Sequence, residues 1–517
     1  MTGALIQLVA KGVQDIFITR DPQITYFKIV YRRHTNFSLE EIPQYFQHKP
    51  DFGKKVTCTI SPMGDLMAKT YLVVTLPKIK PFFLDDGTVD PYLKFAWVKK
   101  IGFALIKTVE IEIGGQLLDR HYGDWLNIMY ELFVKKEDRG MDYMIGNIEK
   151  LIDYSSTKDK YTLYIPLQFW FCRNPSLAIP LLCLHHSEVK INLEINDLDK
   201  CYLLTPTNYM QLEDNVVPFK FGEYIEQTIN GVTASGFFTA FDPVSKRMYY
   251  NRISRNKFQS LSTEIISTYT TNDIIRNYSE YLIRSRSTTN FCIPTPGTTT
   301  RLYDAVLPNN LVLQECYLLI NYVYLDSEER NRFVQSKHEY LIEQLHIYNP
   351  QMITSANFNA KADSINPTRF LVWFIQQQYF NDENNNDFFN YTNDYMYIKE
   401  NGKYNKVGKS LINDESILFN GYERVSYRSY KYYNYLQPLQ HFNIGPSEGI
   451  QVYSFAMDPD LFQPSGSCNM SYIGNTSIQM NVNYLINDNN PAQFKGYAVG
   501  QNILRILDGL GGLVFIR

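Results

Sequence analysis

The chain has 517 residues, 44% of them hydrophobic and 20% charged, a balance that supports real cores and excludes disorder as the main state. Its 50 Lys and Arg against 53 Asp and Glu give a formal net charge of -3, so no global field holds it on a phosphate backbone and a genome-coating role is disfavoured. Seven cysteines, an odd number without a CxxC pair, argue against a disulfide framework or a zinc ribbon and fit a reducing cytoplasm.

The opening MTGALIQLVAKGVQDIFITR lacks a basic n-region, and Lys11 and Asp15 interrupt its apolar run, so it does not read as a signal peptide. Leu5, Leu8, Val9, Val13 and Ile16 fall at helical spacing. They predict a short amphipathic arm, packed on its own domain or docked on a partner. No stretch of 18 apolar residues occurs.

After the arm come KVTCTI, KTYLVVTLP, TVEIEIGG, YTLYIPLQFWF and SEVKINLEI, short alternating segments separated by turn residues, which predict a β-sandwich or barrel. GDWLNIMYELF is the exception: Trp125, Met129 and Leu132 share a helical face, with Asp124 as N-cap, so a helix in a loop between strands is expected. LQECYLLINYVYLD at 313–326 is a long apolar strand. DSEERNRF follows, with Asp326 and Glu329 placed as a capping box, and predicts a short helix joining two domains.

Beyond that helix the signals repeat in order: HEYLIEQLHIY, RFLVWFIQQQ, SILFNGYERVS, GIQVYSFAM and ILRILDGLGGLVFI. The echo is sharpest between NPSLAIPLLCLHHSEVKINLE at 174–194 and QPSGSCNMSYIGNTSIQMNVN at 463–483. In both, the fourteenth residue after a Pro-Ser proline (Pro175, Pro464) opens an alternating strand, Val189-Lys190-Ile191-Asn192-Leu193 and Ile478-Gln479-Met480-Asn481-Val482. EIEIGGQLLDR and ILFNGYERVS form a second pair, and a tandem duplication of one sandwich is the economical account. Residues 201–310 and 379–412 lack counterparts and read as long loop insertions at an exposed end, removable without loss of folding.

Chemistry-bearing motifs are few. GKYNKVGKS has one residue too many between Gly402 and Gly408 for a phosphate loop, and Asn401-Gly402 predicts a surface hairpin instead. His185, His186 and Glu188 invite a metal site, but neighbouring histidines on a strand face opposite ways and no third ligand lies in a matching strand, so a turn or strand-edge role is expected. Arg32, Arg33 and His34 beside Tyr31 and Phe37 suit an interface or carboxylate pairing better than a nucleic-acid groove. Sequons at Asn36, Asn277, Asn390, Asn469 and Asn475 matter only in a secretory lumen. No catalytic, cofactor-binding or metal residue is predicted.

GALIQLVAKGVQDIFITRDPQITYFKIVYRRHTNFSLE, NYVYLDSEERNRFVQSKHEYLIEQL, YSFAMDPDLFQPSGSCNMSYI and LRILDGLGGLVFIR, in that order, resemble the major capsid proteins of nucleocytoplasmic large DNA viruses. The resemblance covers about 1–200, 311–378 and 413–517. It implies an all-β double jelly roll, two tandem eight-stranded sandwiches with short loop helices. It also implies a homotrimer of pseudo-sixfold outline in an icosahedral shell, with the arm inward and the long loops outward. Implied partners are neighbouring capsomers and minor capsid proteins, with surface glycans a further possibility and no direct nucleic acid; assembly belongs to the host cytoplasm. The divisions expected are an arm at 1–26, a first roll at 27–326, a connector at 327–337 and a second roll at 338–517. A jelly-roll glycan-binding surface protein or a minor capsid protein is the alternative, and a cupin-type enzyme the third.

Overall fold

The computed structural model describes residues 3–83, 87–134, 139–254, 256–262, 279–303, 311–381, 385–393, 399–400, 403–404, 408–442, 444–488 and 490–515. The arm holds two short helices, α1 (Gly3–Val9) and α2 (Val13–Thr19), with no buried residue in either. It therefore does not pack on its own domain.

Eight strands follow: β1 (Phe37–Gln44), β2 (Lys55–Thr59), β3 (Leu66–Leu76), β4 (Ile106–Ile113), β5 (Gln116–Tyr122), β6 (Tyr161–Pro166), β7 (Val189–Ile195) and β8 (Glu315–Leu325). They pair antiparallel into two sheets of order β1-β8-β3-β6 and β2-β7-β4-β5. The second half supplies β9 (His338–Ile347), β10 (Asn357–Lys361), β11 (Pro367–Gln377), β12 (Ile412–Phe419), β13 (Tyr422–Ser429), β14 (Gln451–Ser454), β15 (Thr476–Val482) and β16 (Ala492–Leu507). Their order is β9-β16-β11-β14 and β10-β15-β12-β13, so each strand repeats the one eight places earlier. The fold is a double jelly roll.

The echoed stretch occupies the same place in both rolls. Ile179 lies opposite Met67 of β3, and Cys468 opposite Thr368 of β11. Each short bridge runs into a 3₁₀ turn, Leu181–Cys183 or Met470–Tyr472, and then into β7 or β15. The β4–β5 and β12–β13 hairpins turn on Gly114-Gly115 (φ 59° and 81°) and Asn420-Gly421 (φ 51° and 83°). Two successive left-handed residues match the twist of the flanking strands, and glycine or asparagine adopts them at least cost.

Burial follows what covers each face. β7, half covered, alternates strictly between buried and half-buried residues. β11 is buried at every position after Pro367, because Leu371, Trp373 and Ile375 face the second roll's core while Phe370, Val372 and Phe374 face a helix. That helix is α3 (Gly123–Phe133), in the connection between β5 and β6. α4 (Ser327–Gln335) joins β8 to β9, and the Asp326 carboxylate caps it by accepting the Glu329 N–H at 2.8 Å.

The insertions depart from the loops expected. Within 201–310, strands including Tyr224–Ile229, Val232–Asp242 and Arg247–Arg252 form a seven-stranded sheet with its own core around Met210, Ile225, Phe238, Met248 and Tyr250. A hairpin at Asn230-Gly231 (φ 49° and 77°) sets its central pair. The second insertion is no free loop either: Tyr391 is buried with its ring 4.1 Å from Phe374, and Tyr379 and Phe380 pack on Tyr224 and Ile253 of the first insertion. The strands of the expected hairpin pair, Lys399 with Tyr404 and Glu400 with Lys403, while its turn Asn401-Gly402 lies outside the described residues. Removal of 381–412 should therefore yield insoluble or loosely folded protein, against the expectation from sequence; soluble protein with an unchanged melting curve would contradict this packing.

Glu415 on β12 is fully buried and accepts the Trp373 indole N–H at 2.7 Å. Burial raises its carboxyl from 4.5 to about 8, although the indole bond pulls the other way. Between those values the folded chain holds a proton that the unfolded chain releases, so stability falls as pH rises from 4.5 through about 8. Glu415→Gln keeps an acceptor and removes the ionisation. Urea denaturation at pH 6 and pH 8.5 should show a smaller loss in this variant than in the wild type, and equal losses would refute the assignment.

Candidate assembly surface

The seam between the rolls is built on α3 and on a second apolar contact, where Ile342 of β9 and Leu504 and Ile506 of β16 join the first roll's core. Trp125, Ile128, Met129 and Leu132 fall at i, i+3, i+4 and i+7, one stripe of a helix, and all are buried. They pack on Phe370, Val372 and Phe374 of β11 and on Tyr497 and Val499 of β16, with the Trp125 and Tyr497 rings 5.5 Å apart. Asp124 does not cap the helix: α3 begins after Tyr122 without a side-chain cap. Instead the Asp124 carboxylate, in the first turn where negative charge suits the helix dipole, takes the Lys495 ammonium of β16 at 2.8 Å.

Other polar groups cross the same seam. Glu131 of α3 binds Lys100 at 2.6 Å and accepts the Ser447 N–H at 3.2 Å. Glu343 of β9 lies between Arg173 of the first roll, at 2.6 Å, and Arg369 of β11. Arg369 is 2% exposed and also donates to the Pro459 and Leu461 carbonyls. Along the strands, Asp119 of β5 accepts the Leu345 N–H of β9 at 2.9 Å, and Gln344 donates to the Leu118 carbonyl at 2.6 Å. Burial holds the nearby His346 imidazole below its ordinary range, with Asp119 opposing. The chain's last described strand returns to the first roll, where the Leu513 N–H meets Gln116 at 3.0 Å and the Gly511 N–H meets Ser187 at 3.2 Å.

The residues singled out in the sequence do not converge. His185 and His186 sit exposed in a turn before β7, so the argument from opposite strand faces does not apply to them; the His186 N–H donates to the Gly509 carbonyl, and Glu188 pairs with Lys190 at 2.9 Å. Arg32, Arg33 and His34 are exposed in the segment just before β1, where His34 contacts its neighbours Thr35 and Phe37. Of the sequons, Asn390 is buried, Asn36, Asn469 and Asn475 are exposed, and Asn277 lies outside the described residues. The seven cysteines are free thiols. The sequence reading missed the Arg173–Glu343–Arg369 group, for which an arginine opening the apolar run RFLVWFI was the available signal.

Two family descriptions match the chain: "Major capsid protein N-terminus" over residues 25–218 and "Large eukaryotic DNA virus major capsid protein" over residues 329–512. "Probable capsid protein 4" of Acanthamoeba polyphaga mimivirus is 39% identical over 520 residues, spanning 100% of this chain and 99% of that protein. The chain belongs to the major capsid proteins of large eukaryotic DNA viruses. The "Major capsid protein" of Phaeocystis pouchetii virus is 30% identical over 613 residues, with 100% of both chains covered. Among solved structures, the Faustovirus major capsid protein superposes with a TM-score of 0.64 at 13% identity, covering 98% of this chain and 96% of that one. A chain of the PBCV-1 virus capsid superposes with 0.60 at 22% identity, covering 95% and 100%. At such identities the likeness is one of fold. The role of this capsid protein is structural, in the virion shell.

Since α3 carries the seam, Trp125→Ala should cost about 3–5 kcal/mol, the range for truncating a buried tryptophan. Chemical denaturation measures it, and a cost below about 1 kcal/mol would show that α3 does not hold the rolls together.

Proposed function

We propose that three copies of this capsid protein form a capsomer of pseudo-sixfold outline, the unit of an icosahedral shell. The observation that carries this is the repetition of one sandwich topology, strand for strand, within a single chain. Six similar sandwiches from three chains tile as a hexagon while the assembly itself keeps threefold symmetry. The chain divides, on this reading, into an arm at 1–26, a first roll at 27–326 that carries the inserted sheet, a connector at 327–337 and a second roll at 338–517. Neighbouring capsomers and minor capsid proteins are its partners, with the exposed arm offered to them, and assembly takes place in the host cytoplasm. It catalyses nothing, holds no metal and makes no direct contact with nucleic acid.

A chain with 40 Tyr and 32 Phe and a near-neutral charge assembles through buried apolar and aromatic area, as obligate interfaces of ~2,000–5,000 Å² do. Such a trimer resists salt, whereas phosphate-driven assembly weakens steeply as salt rises. Analytical ultracentrifugation of nucleic-acid-free protein should give a trimer at both low and high salt. A monomer under both conditions, or dissociation by moderate salt alone, would count against the reading.

A further inference from the structure

We propose that the helix following β13 in one copy covers the outer face of the β1-β8-β3-β6 sheet of a second copy, as α3 covers the matching face of the second roll within the chain. This rests on the trimer reading above and names the surfaces that would make its seam. Counted from the last residue of the preceding strand, Tyr122 or Ser429, the α3 stripe Trp125, Ile128, Met129 and Leu132 recurs as Tyr432, Tyr435, Leu436 and Leu439. The first stripe is buried. In the second, Tyr435 is 44% exposed, Leu436 43% and Leu439 64%, on the helical stretch 430–441. Tyr432 is half-buried against the second roll's core, so a stripe that is wholly core in one roll is bare at its other three positions in the second.

The receiving face shows the same imbalance. In the second roll the outer side of β9, β11, β14 and β16 carries Leu345, Phe370, Val452, Tyr497 and Val499, joined in one buried cluster with α3. In the first roll the same pleat faces of β1, β3, β6 and β8 carry Pro43, Tyr71, Tyr164, Tyr317 and Leu319, as the cross-strand pairs Tyr71 with Leu319, Tyr71 with Pro166 and Pro43 with Leu319 require. Among the described residues no helix of α3's length covers this face: Tyr164 is 41% exposed, and Tyr45, its ring 5.7 Å from that of Tyr317 and tilted by 47°, is 69% exposed. Charge complements shape. Arg424, Arg428 and Lys431 flank the bare helix and are exposed, while Glu41 and Glu315, also exposed, lie on the tyrosine face. A second copy of the chain brings both halves of the contact, and a donor helix on one roll with an acceptor sheet on the other makes the interface head-to-tail, the type that closes into rings.

The test is sedimentation of the full chain carrying Leu436→Asp with Leu439→Asp, beside the wild type and a Tyr164→Asp variant. Both variants should keep the wild-type circular dichroism and sediment as monomers where the wild type is a trimer. Trimers persisting in both variants would overturn the proposal and leave the trimer reading intact; a monomeric wild type would sink the trimer reading itself. Should the aspartates prevent folding, Leu436→Cys with Tyr317→Cys in a Cys468→Ser background, treated with a short bis-maleimide, should yield covalent trimers on a denaturing gel. Intact trimers without interchain cross-links would overturn the assignment.

Discussion

The apolar stripe of α3 against β11 and β16 is the contact on which the arrangement of the two rolls depends. Each roll has a core of its own; besides the stripe, Ile342 of β9 and Leu504 and Ile506 of β16 join the first roll's core, and the remaining links are polar ones along strand edges. Polar links fix direction and register but stabilise little once desolvation is counted. The stripe supplies area removed from water, and it closes the outer face of a sheet whose β11 is buried on both sides. Asp124 with Lys495 and Glu131 with Lys100 then stand at the two ends of the helix and limit how it slides. Removing one member of such a pair leaves a partly buried charge without its counterpart, so these groups specify the seam more than they strengthen it.

Much of the architecture was legible because a duplicated sandwich writes each periodicity twice. The alternation of Val189 to Leu193 and of Ile478 to Val482 pointed to equivalent strands, and the structure places them in β7 and β15, opposite β2 and β10 in the same sheet positions. The cap of the connector was legible too, since Asp326 acts locally, but Glu329 contributes its N–H and not the carboxylate that a capping box would use. What failed was long-range. The helix at 123–133 was evident from its spacing, but nothing local says that its stripe meets Phe370 and Val499 rather than its own roll. The inserted sheet was hidden because its Thr- and Ser-rich strands lack a strong apolar alternation, while the Asn230-Gly231 turn that betrays it lay inside a stretch read as loop. Glu415 was hidden by a bulge: the pairing with β13 shifts between Glu415 and Ile417, so four consecutive residues from Glu415 to Leu418 are buried where a regular strand would turn every second one outward.

The difference between the two outer faces carries a physical logic of its own. The face covered within the chain uses mainly phenylalanine, valine and leucine, residues that gain most from permanent burial and have no polar atom to satisfy, with Tyr497 among them. Its counterpart on the first roll uses tyrosine at Tyr45, Tyr71, Tyr164 and Tyr317. A phenolic ring offers nearly the same apolar area while its hydroxyl stays wetted, so a monomer can expose the face without the large continuous apolar patch that drives aggregation. On one fold, repeated twice, residue choice thus separates the surface that is buried as the chain folds from the surface that must wait, solvated, for another chain.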